Sequence, residues 1–271
     1  MGDKQKTRFD RKRRCMAGHS KWANIKRQKA RVDAKRGKVF TKVSREIIVA
    51  ARNGADPAGN FQLRTAIDKA KAVGIPNDNI DRAIAKGAGT WEGDNNNYEF
   101  IRYEGYGPGG VALVIEALTD NRNRSAADIR EAFKKNGGSL GETGCVSWMF
   151  SHKGVVRLSG EVDEEQLLEV SVEAEAETYE WVEDPDDEAT VEVLTEVGNL
   201  QQLSQTLQAE QFAIVASEMR WIPGNTVEVT DEEQARSLLK LLDALEELDD
   251  VQNVTPNFEM SDELMALSVS S

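Results

Sequence analysis

From Ser20 onward the apolar positions recur at helical intervals. Ser20 can cap a first helix that carries Trp22 and Ile25. A second helix is expected from Ala34 to Arg52, where Val39, Phe40, Val43, Ile47 and Ala51 share one stripe. Asn53 and Gly54 then tolerate a left-handed backbone, and Pro57 prevents continuation. A third helix, Phe61 to Val73, turns Phe61, Leu63, Ala66, Ile67, Ala70 and Val73 inward and stops at Gly74. A short fourth follows Asn77, with Ile80, Ala83 and Ile84 inward and Gly87 as its stop. Residues 16–90 thus read as a small helical domain, and the polar stretch from Gly87 to Asn97 as a linker.

Beyond Tyr98 the period changes from helical to alternating. Strands near Glu99–Tyr103 and Val111–Thr119 precede a helix from Ala126 to Lys135, which Ser125 and Asp128 can cap as a box. Gly137, Gly138 and Gly141 mark a loop. The next elements are a strand (Gly154–Leu158), a helix (Glu164–Ala174), two strands (Thr178–Val182, Thr190–Thr195), a helix (Leu200–Glu210) and a strand (Ala213–Ser217). That order is the ferredoxin-like βαββαβ unit. A strand near Val227, a helix from Glu232 to Leu248 and a strand near Val251–Val254 close the chain. The expected fold class is therefore α+β and multi-domain: a helical N-terminal domain, then two α/β domains, one ferredoxin-like and inserted into the other. The expected boundaries are 16–90, then 98–140 with 219–262 as the split domain, and 145–218 as the insert, with 1–15 a disordered basic tail.

Charge changes this picture from purely architectural to functional. The 271 residues carry a formal net charge of −13, which by itself argues against a nucleic-acid partner. The average conceals a division: residues 1–90 hold 23 Lys and Arg against 8 Asp and Glu, and the remainder holds 11 against 39. A basic head on an acidic body points to a polyanion partner for the head alone. No apolar run approaches a membrane span; Val111–Leu118 is strand-length and contains Glu116. The N-terminus lacks the apolar stretch of a secretory signal. Two cysteines, Cys15 and Cys145, have no metal-type spacing, which makes a reducing cytoplasm the simplest compartment. RKRR in the first fifteen residues is either a localisation or nucleic-acid patch or a charged leader ahead of a start at Met16.

The cations of the head are the strongest chemical signal. On the second helix Lys35, Lys38, Lys42, Arg45 and Arg52 recur at intervals of three, four, three and seven, opposite the apolar stripe. Lys21, Lys26, Arg27, Lys29 and Arg31 precede them, with Trp22 and His19 interleaved. A solvated helix face usually mixes signs in i,i+4 pairs, yet Asp33 and Glu46 are the only acids from Lys21 to Arg52. Such a row can displace several phosphate counterions at once. The candidate nucleic-acid contacts are Lys21, Trp22, Lys26, Lys29, Lys35, Arg36, Lys38, Lys42 and Arg45.

A second candidate is the TDNRNRS segment, where Arg122 and Arg124 beside a helix N-terminus can hold a phosphate or RNA. Equally, either arginine can pair with Asp120 and simply close a loop. GYGPGG (Gly105–Gly110) matches a dinucleotide fingerprint in letters only, because a strand rather than a helix follows; it reads as a hairpin turn. Between Leu158 and Arg220 there are eighteen acids and no Lys or Arg, scattered without a metal-loop signature. That surface either repels nucleic acid or docks proteins. No catalytic residue, metal ligand or cofactor site is assigned.

Three blocks carry a family resemblance: AGHSKWANIKRQKARVDAKRGKVFTKVSREI (Ala17–Ile47), AIDKAKAVGIPNDNIDRAIAKGAG (Ala66–Gly89) and the long run from Tyr103 to Phe150. They closely resemble the YebC family, which extends to a mitochondrial translational activator of cytochrome oxidase subunit I. Cys145 stands where that family usually has a serine-type residue. The resemblance begins just after Met16, covers nearly all that follows, and implies three domains without an enzymatic activity or cofactor. It implies a cytoplasmic DNA-binding transcriptional regulator. The alternative it leaves open is a ribosome-associated translation factor touching rRNA or tRNA and relieving stalls at proline-rich sequences, with the acidic domains meeting ribosomal or other proteins.

Overall fold

A computed structural model describes residues 33–90, 98–184 and 187–266. The head begins with α1 (Asp33–Ala51), followed by α2 (Phe61–Ala72) and α3 (Asn77–Gly87). Much of the stripe read from the sequence is its core: Val43, Ile47 and Ala51 of α1, joined by Ala50, meet Leu63, Ala66, Ile67 and Ala70 of α2 and Ile80 and Ala83 of α3, with Val39 and Phe40 partly buried against them. Asn60 starts α2 by accepting from the Leu63 N–H at 3.0 Å. Its amide donates to Ala50 O and Gly54 O, both at 2.8 Å, so one buried side chain caps α2 and ties it to the end of α1. Gly87 permits the tightest helix approach, since a Cβ there would lie 2.2 Å from Ile48 O.

The split domain is built on the hairpin β1 (Glu99–Tyr106) and β2 (Ala112–Thr119). Its turn is closed by the Gly107 N–H donating to Val111 O at 2.8 Å, and Gly109 takes the left-handed conformation at φ 74°. α4 (Arg122–Lys135) follows, then the short β3 (Ser139–Leu140). After the insert come β8 (Val227–Glu228), α7 (Glu232–Glu246), β9 (Val251–Pro256), β10 (Phe258–Glu259) and α8 (Asp262–Ala266). The sheet order is β3-β1-β2-β9, antiparallel throughout, with β8 and β10 as a separate parallel pair. Leu113 and Ile115 of β2 pack with Ile129 and Phe133 of α4, with Leu238, Leu241, Leu242 and Leu245 of α7, and with Phe258.

The inserted unit covers residues 151–222; residues 33–150 with 223–266 form the other compact unit. It contains β4 (Phe150–Leu158), α5 (Glu164–Glu173), β5 (Thr178–Asp184), β6 (Asp187–Glu196), α6 (Leu200–Ala209) and β7 (Ile214–Pro223). The order β5-β6-β4-β7 is the ferredoxin-like arrangement. Leu167 and Val170 of α5 and Leu203 and Leu207 of α6 are buried, as are Val156, Leu158, Val191 and Val193 of the strands. Where the chain departs and returns, the Gly224 N–H donates to Met149 O at 2.8 Å.

The structure corrects one helix start. The helix expected from Ala126 starts four residues earlier at Arg122, because Asn121 rather than Ser125 is the cap and accepts from the Arg124 N–H. Ser125 is instead buried inside the first turn. Among the described residues no helix is long and apolar enough to cross a membrane.

Candidate nucleic-acid interface

Lys35 and Arg36 belong to the first turns of α1, and nothing is described of their side chains. Lys21, Trp22, Lys26 and Lys29 lie outside the described residues. Lys38, Lys42 and Arg45 are described, and the structure brings all three to one place. Lys38 Nζ donates to Glu247 O at 3.1 Å, Lys42 Nζ to Glu246 O at 2.7 Å, and Arg45 Nη1 to Asp249 O at 2.5 Å. These carbonyls belong to the last residue of α7 and the turn that follows it. The sequence reading set these three cations in a row facing phosphate; here each is engaged within the molecule.

The electrostatic cause is visible in α7 itself. A helix C-terminus carries partial negative charge and favours cations in its last turn. α7 has no basic residue there, and the sequence continues Glu246, Glu247, Leu248, Asp249, Asp250. Left alone, that end stacks four acids on exposed carbonyls. α1 supplies the missing cations from about two hundred residues away in sequence.

Asp250 is the centre of the arrangement. Its carboxylate accepts from Arg45 at 3.0 Å, Arg124 at 2.9 Å, Ser125 Oγ at 2.7 Å and Thr119 Oγ1 at 3.0 Å. Burial would raise its pKa, but the hydrogen bonds from Ser125, Arg124 and Thr119, with the Arg124 charge, hold the carboxyl below its ordinary value. Arg124 also pairs with Asp120 at 2.7 Å, so its hydrogen bonds to Asp250 and Asp120 raise its pKa still further. Arg124 thus makes the pair with Asp120 that the loop-closing reading describes. Arg122 is exposed, and its carbonyl accepts from Tyr103 Oη at 3.3 Å. The Arg45 guanidinium also lies 5.4 Å from the centre of the Tyr98 ring.

Around these groups is a groove of about 550 Å³ whose lining includes Lys38, Arg45, Arg124, Asp128, Asp249 and Asp250. Both signs of charge are present. Among the described residues there is no group of three or more His, Cys, Asp or Glu side chains able to hold a metal ion.

Sequence reasoning missed Asp250. A signal was present: a long helix that runs out into four acids, Glu246, Glu247, Asp249 and Asp250, with no Lys or Arg in its last turn calls for cations from elsewhere. It also missed Glu104, a carboxylate buried to 1% exposure in β1. Glu104 accepts from the Val146 and Ser147 N–H groups at 2.9 Å and from Arg102 at 3.2 Å, which fixes the loop leading into β4. Burial opposes its ionisation, but the N–H groups of Val146, Gly144 and Ser147 and the Arg102 charge outweigh it and lower the pKa. In the same loop, burial pushes the Cys145 thiol up and the Glu104 charge adds to the effect, which suits an inert thiol.

In the inserted unit Glu192 is clamped by Arg157 at 2.7 Å and by Arg220. Burial would raise its pKa, yet the two arginines bring it down to about 2. His152 stacks on Trp221 with ring centres 4.7 Å apart, a packing role.

Comparison with known proteins agrees along the chain. Residues 20–90 match the TACO1/YebC protein N-terminal domain, and residues 98–258 match the TACO1/YebC second and third domain. A probable transcriptional regulatory protein of Gloeothece citriformis is 71% identical over 256 residues, covering 94% of this chain and all of that one. One from Nostoc sp. is 71% identical over 254 residues, covering 93% of this chain and 99% of that one. The crystal structure of a conserved hypothetical protein, Aq1575, from Aquifex aeolicus superimposes with a TM-score of 0.75 at 46% identity, covering 86% of this chain and 94% of that one. With both halves of its length matched, this chain belongs to the TACO1/YebC family.

Proposed function

We propose that this chain is a nucleic-acid-binding regulator of gene expression, acting in transcription, and that its basic head supplies the phosphate contacts. The observation that carries this reading is charge segregation: 23 cations against 8 acids in residues 1–90, and the reverse imbalance after them. Relatives across nearly the whole length are named probable transcriptional regulatory proteins, which supports the regulatory role. Because Lys38, Lys42 and Arg45 are engaged with α7, the first contacts fall to the segment before them. Residues 21–36 carry seven Lys and Arg against Asp33 alone. Lys21, Lys26, Lys29, Lys35 and Arg36 would meet phosphates, and Trp22 would stack on a base. Arg122, exposed at the start of α4, is a further anion contact in this reading. The reading assigns no catalysis and no cofactor.

The test is binding of duplex DNA and of single-stranded RNA across a salt series. Affinity should fall as a power of salt, with a slope of about 0.9 per duplex phosphate contact or about 0.7 for a single strand. Reversal of Lys26, Lys29, Lys35 and Arg36 to Glu should flatten that slope. Binding indifferent to both salt and reversal overturns the reading. Crosslinking in cells then separates the partners: recovered promoter DNA supports transcription, whereas dominant rRNA or tRNA moves the protein to the ribosome.

A further inference from the structure

The groups that hold α1 on α7 have the chemistry of a phosphate backbone. Lys38, Lys42 and Arg45 lie on one face of α1 and meet a run of oxygens: Glu247 O, Glu246 O, Asp249 O and the Asp250 carboxylate. We infer that the acidic end of α7 imitates a polyanion and latches the head, so that a sugar–phosphate polymer must displace it to reach these three cations. This rests on the reading of the head as a phosphate-binding element.

Three features suit a latch rather than a permanent bond. The contacts of Lys38 and of Arg45 with Asp249 O are exposed, and such contacts are screened by salt. Arg45 fits imperfectly: its Nε is buried with no hydrogen-bond partner among the described residues. Release also leaves Asp250 with partners. When Arg45 withdraws, Asp250 keeps Arg124, Ser125 and Thr119. Arg45 in turn can be repaid by a phosphate, which accepts from two nitrogens of the guanidinium fork, whereas both of its present bonds leave from Nη1. A latched population lowers apparent affinity by the fraction that is competent, so a head latched nine times in ten binds about tenfold more weakly than a free one.

The experiment uses the full chain with Cys15 and Cys145 replaced by Ser and dyes on Q62C in α2 and K240C in α7, both exposed positions. Saturating duplex DNA, single-stranded RNA of equal length, or heparin should each lower energy transfer between the dyes. The three arms show whether DNA, RNA or any polyanion opens the latch. D250N, which weakens the hold on Arg45, should bind about three to ten times more tightly than the parent chain. D120N removes the same charge from Arg124 without touching Arg45 and should stay within about twofold. Unchanged transfer at saturation, or equal affinities of D250N and D120N, overturns the latch while leaving nucleic-acid binding intact. Absence of binding by the parent chain at low salt overturns the functional reading and the latch with it. Should D250N fail to fold, the dye separation in the parent chain decides alone.

Discussion

Replacing Asp250 by alanine takes away an acceptor that serves four donors, and the structure says what each donor does next. Arg124 keeps Asp120 at 2.7 Å. Ser125 Oγ can turn to Asn121 O at 3.2 Å or to Thr119 Oγ1 at 2.8 Å. Thr119 still accepts from the Asn121 N–H but loses the partner for its own proton. Arg45 keeps only the Asp249 carbonyl, with its side chain 15% exposed. Breaking a fully buried ion pair costs about 3–5 kcal/mol; Arg45 is only part-buried and two donors are rescued, which reduces this to about 2–4 kcal/mol here. Asparagine keeps one oxygen for Ser125, Thr119 and Arg124 but loses the charge and turns an NH2 donor toward Arg45 in place of the other oxygen, so D250N should cost about 1–2 kcal/mol. In a chain of two compact units a single global unfolding midpoint is the wrong readout. Amide hydrogen exchange in α1 and around residues 118–125, at matched pH and salt, localises the loss. A D250A cost below about 1 kcal/mol, or equal costs for alanine and asparagine, would refute the view that this carboxylate joins α1 to the split domain.

Three further outcomes follow from other sites. Glu104 has a folded pKa below its ordinary value of 4.5, so its stabilisation is complete above that value and is lost as pH falls through the depressed one; protection factors of residues 141–149, corrected for intrinsic exchange at each pH, should fall on acidification, and E104Q should weaken protection already at neutral pH. Glu192, brought down to about 2, should stabilise the inserted unit fully above 4.5 and lose that contribution between 4.5 and about 2. E192L, which leaves Arg157 and Arg220 facing each other, should cost about 3–5 kcal/mol in denaturant titrations followed by Trp181 and Trp221 fluorescence. Gly87→Ala places a Cβ 2.2 Å from Ile48 O and 2.7 Å from Ala51 Cβ, and since a backbone carbonyl cannot rotate away, the head should lose about 1–3 kcal/mol in local exchange.

Local pattern carried most of the architecture. The stripe Val43, Ile47 and Ala51 defined α1 because burial on one helix face repeats every three or four residues, and the helix ran from Asp33 to Ala51 against an expected Ala34 to Arg52. Strand ends were less legible: β4 begins at Phe150 and β7 reaches Pro223, beyond the short apolar runs that marked them. The start of α4 was misread because Asn121 and Ser125 are both good caps, and only tertiary structure buries Ser125 against Asp250. The cations of α1 show why the site was harder than the fold. Charge balance within a helix reveals neighbours three or four positions away, and Lys38, Lys42 and Arg45 lacked them. Their partners lie more than two hundred positions downstream, where helical periodicity has no reach.

The hydrogen bond from Gly224 to Met149, next to the paired strands β4 and β7, closes the path by which the chain leaves for the ferredoxin-like unit and comes back. A fold stitched in this manner treats everything between as a cassette: its exposed positions can drift while its own core and the two flanking residues are kept. The stretch from Leu158 to Arg220, with eighteen acids and no Lys or Arg, sits inside that cassette. Evolution can therefore recharge it, and an engineer can swap it for a short flexible connector, without rewriting the hairpin and helices that carry Asp250.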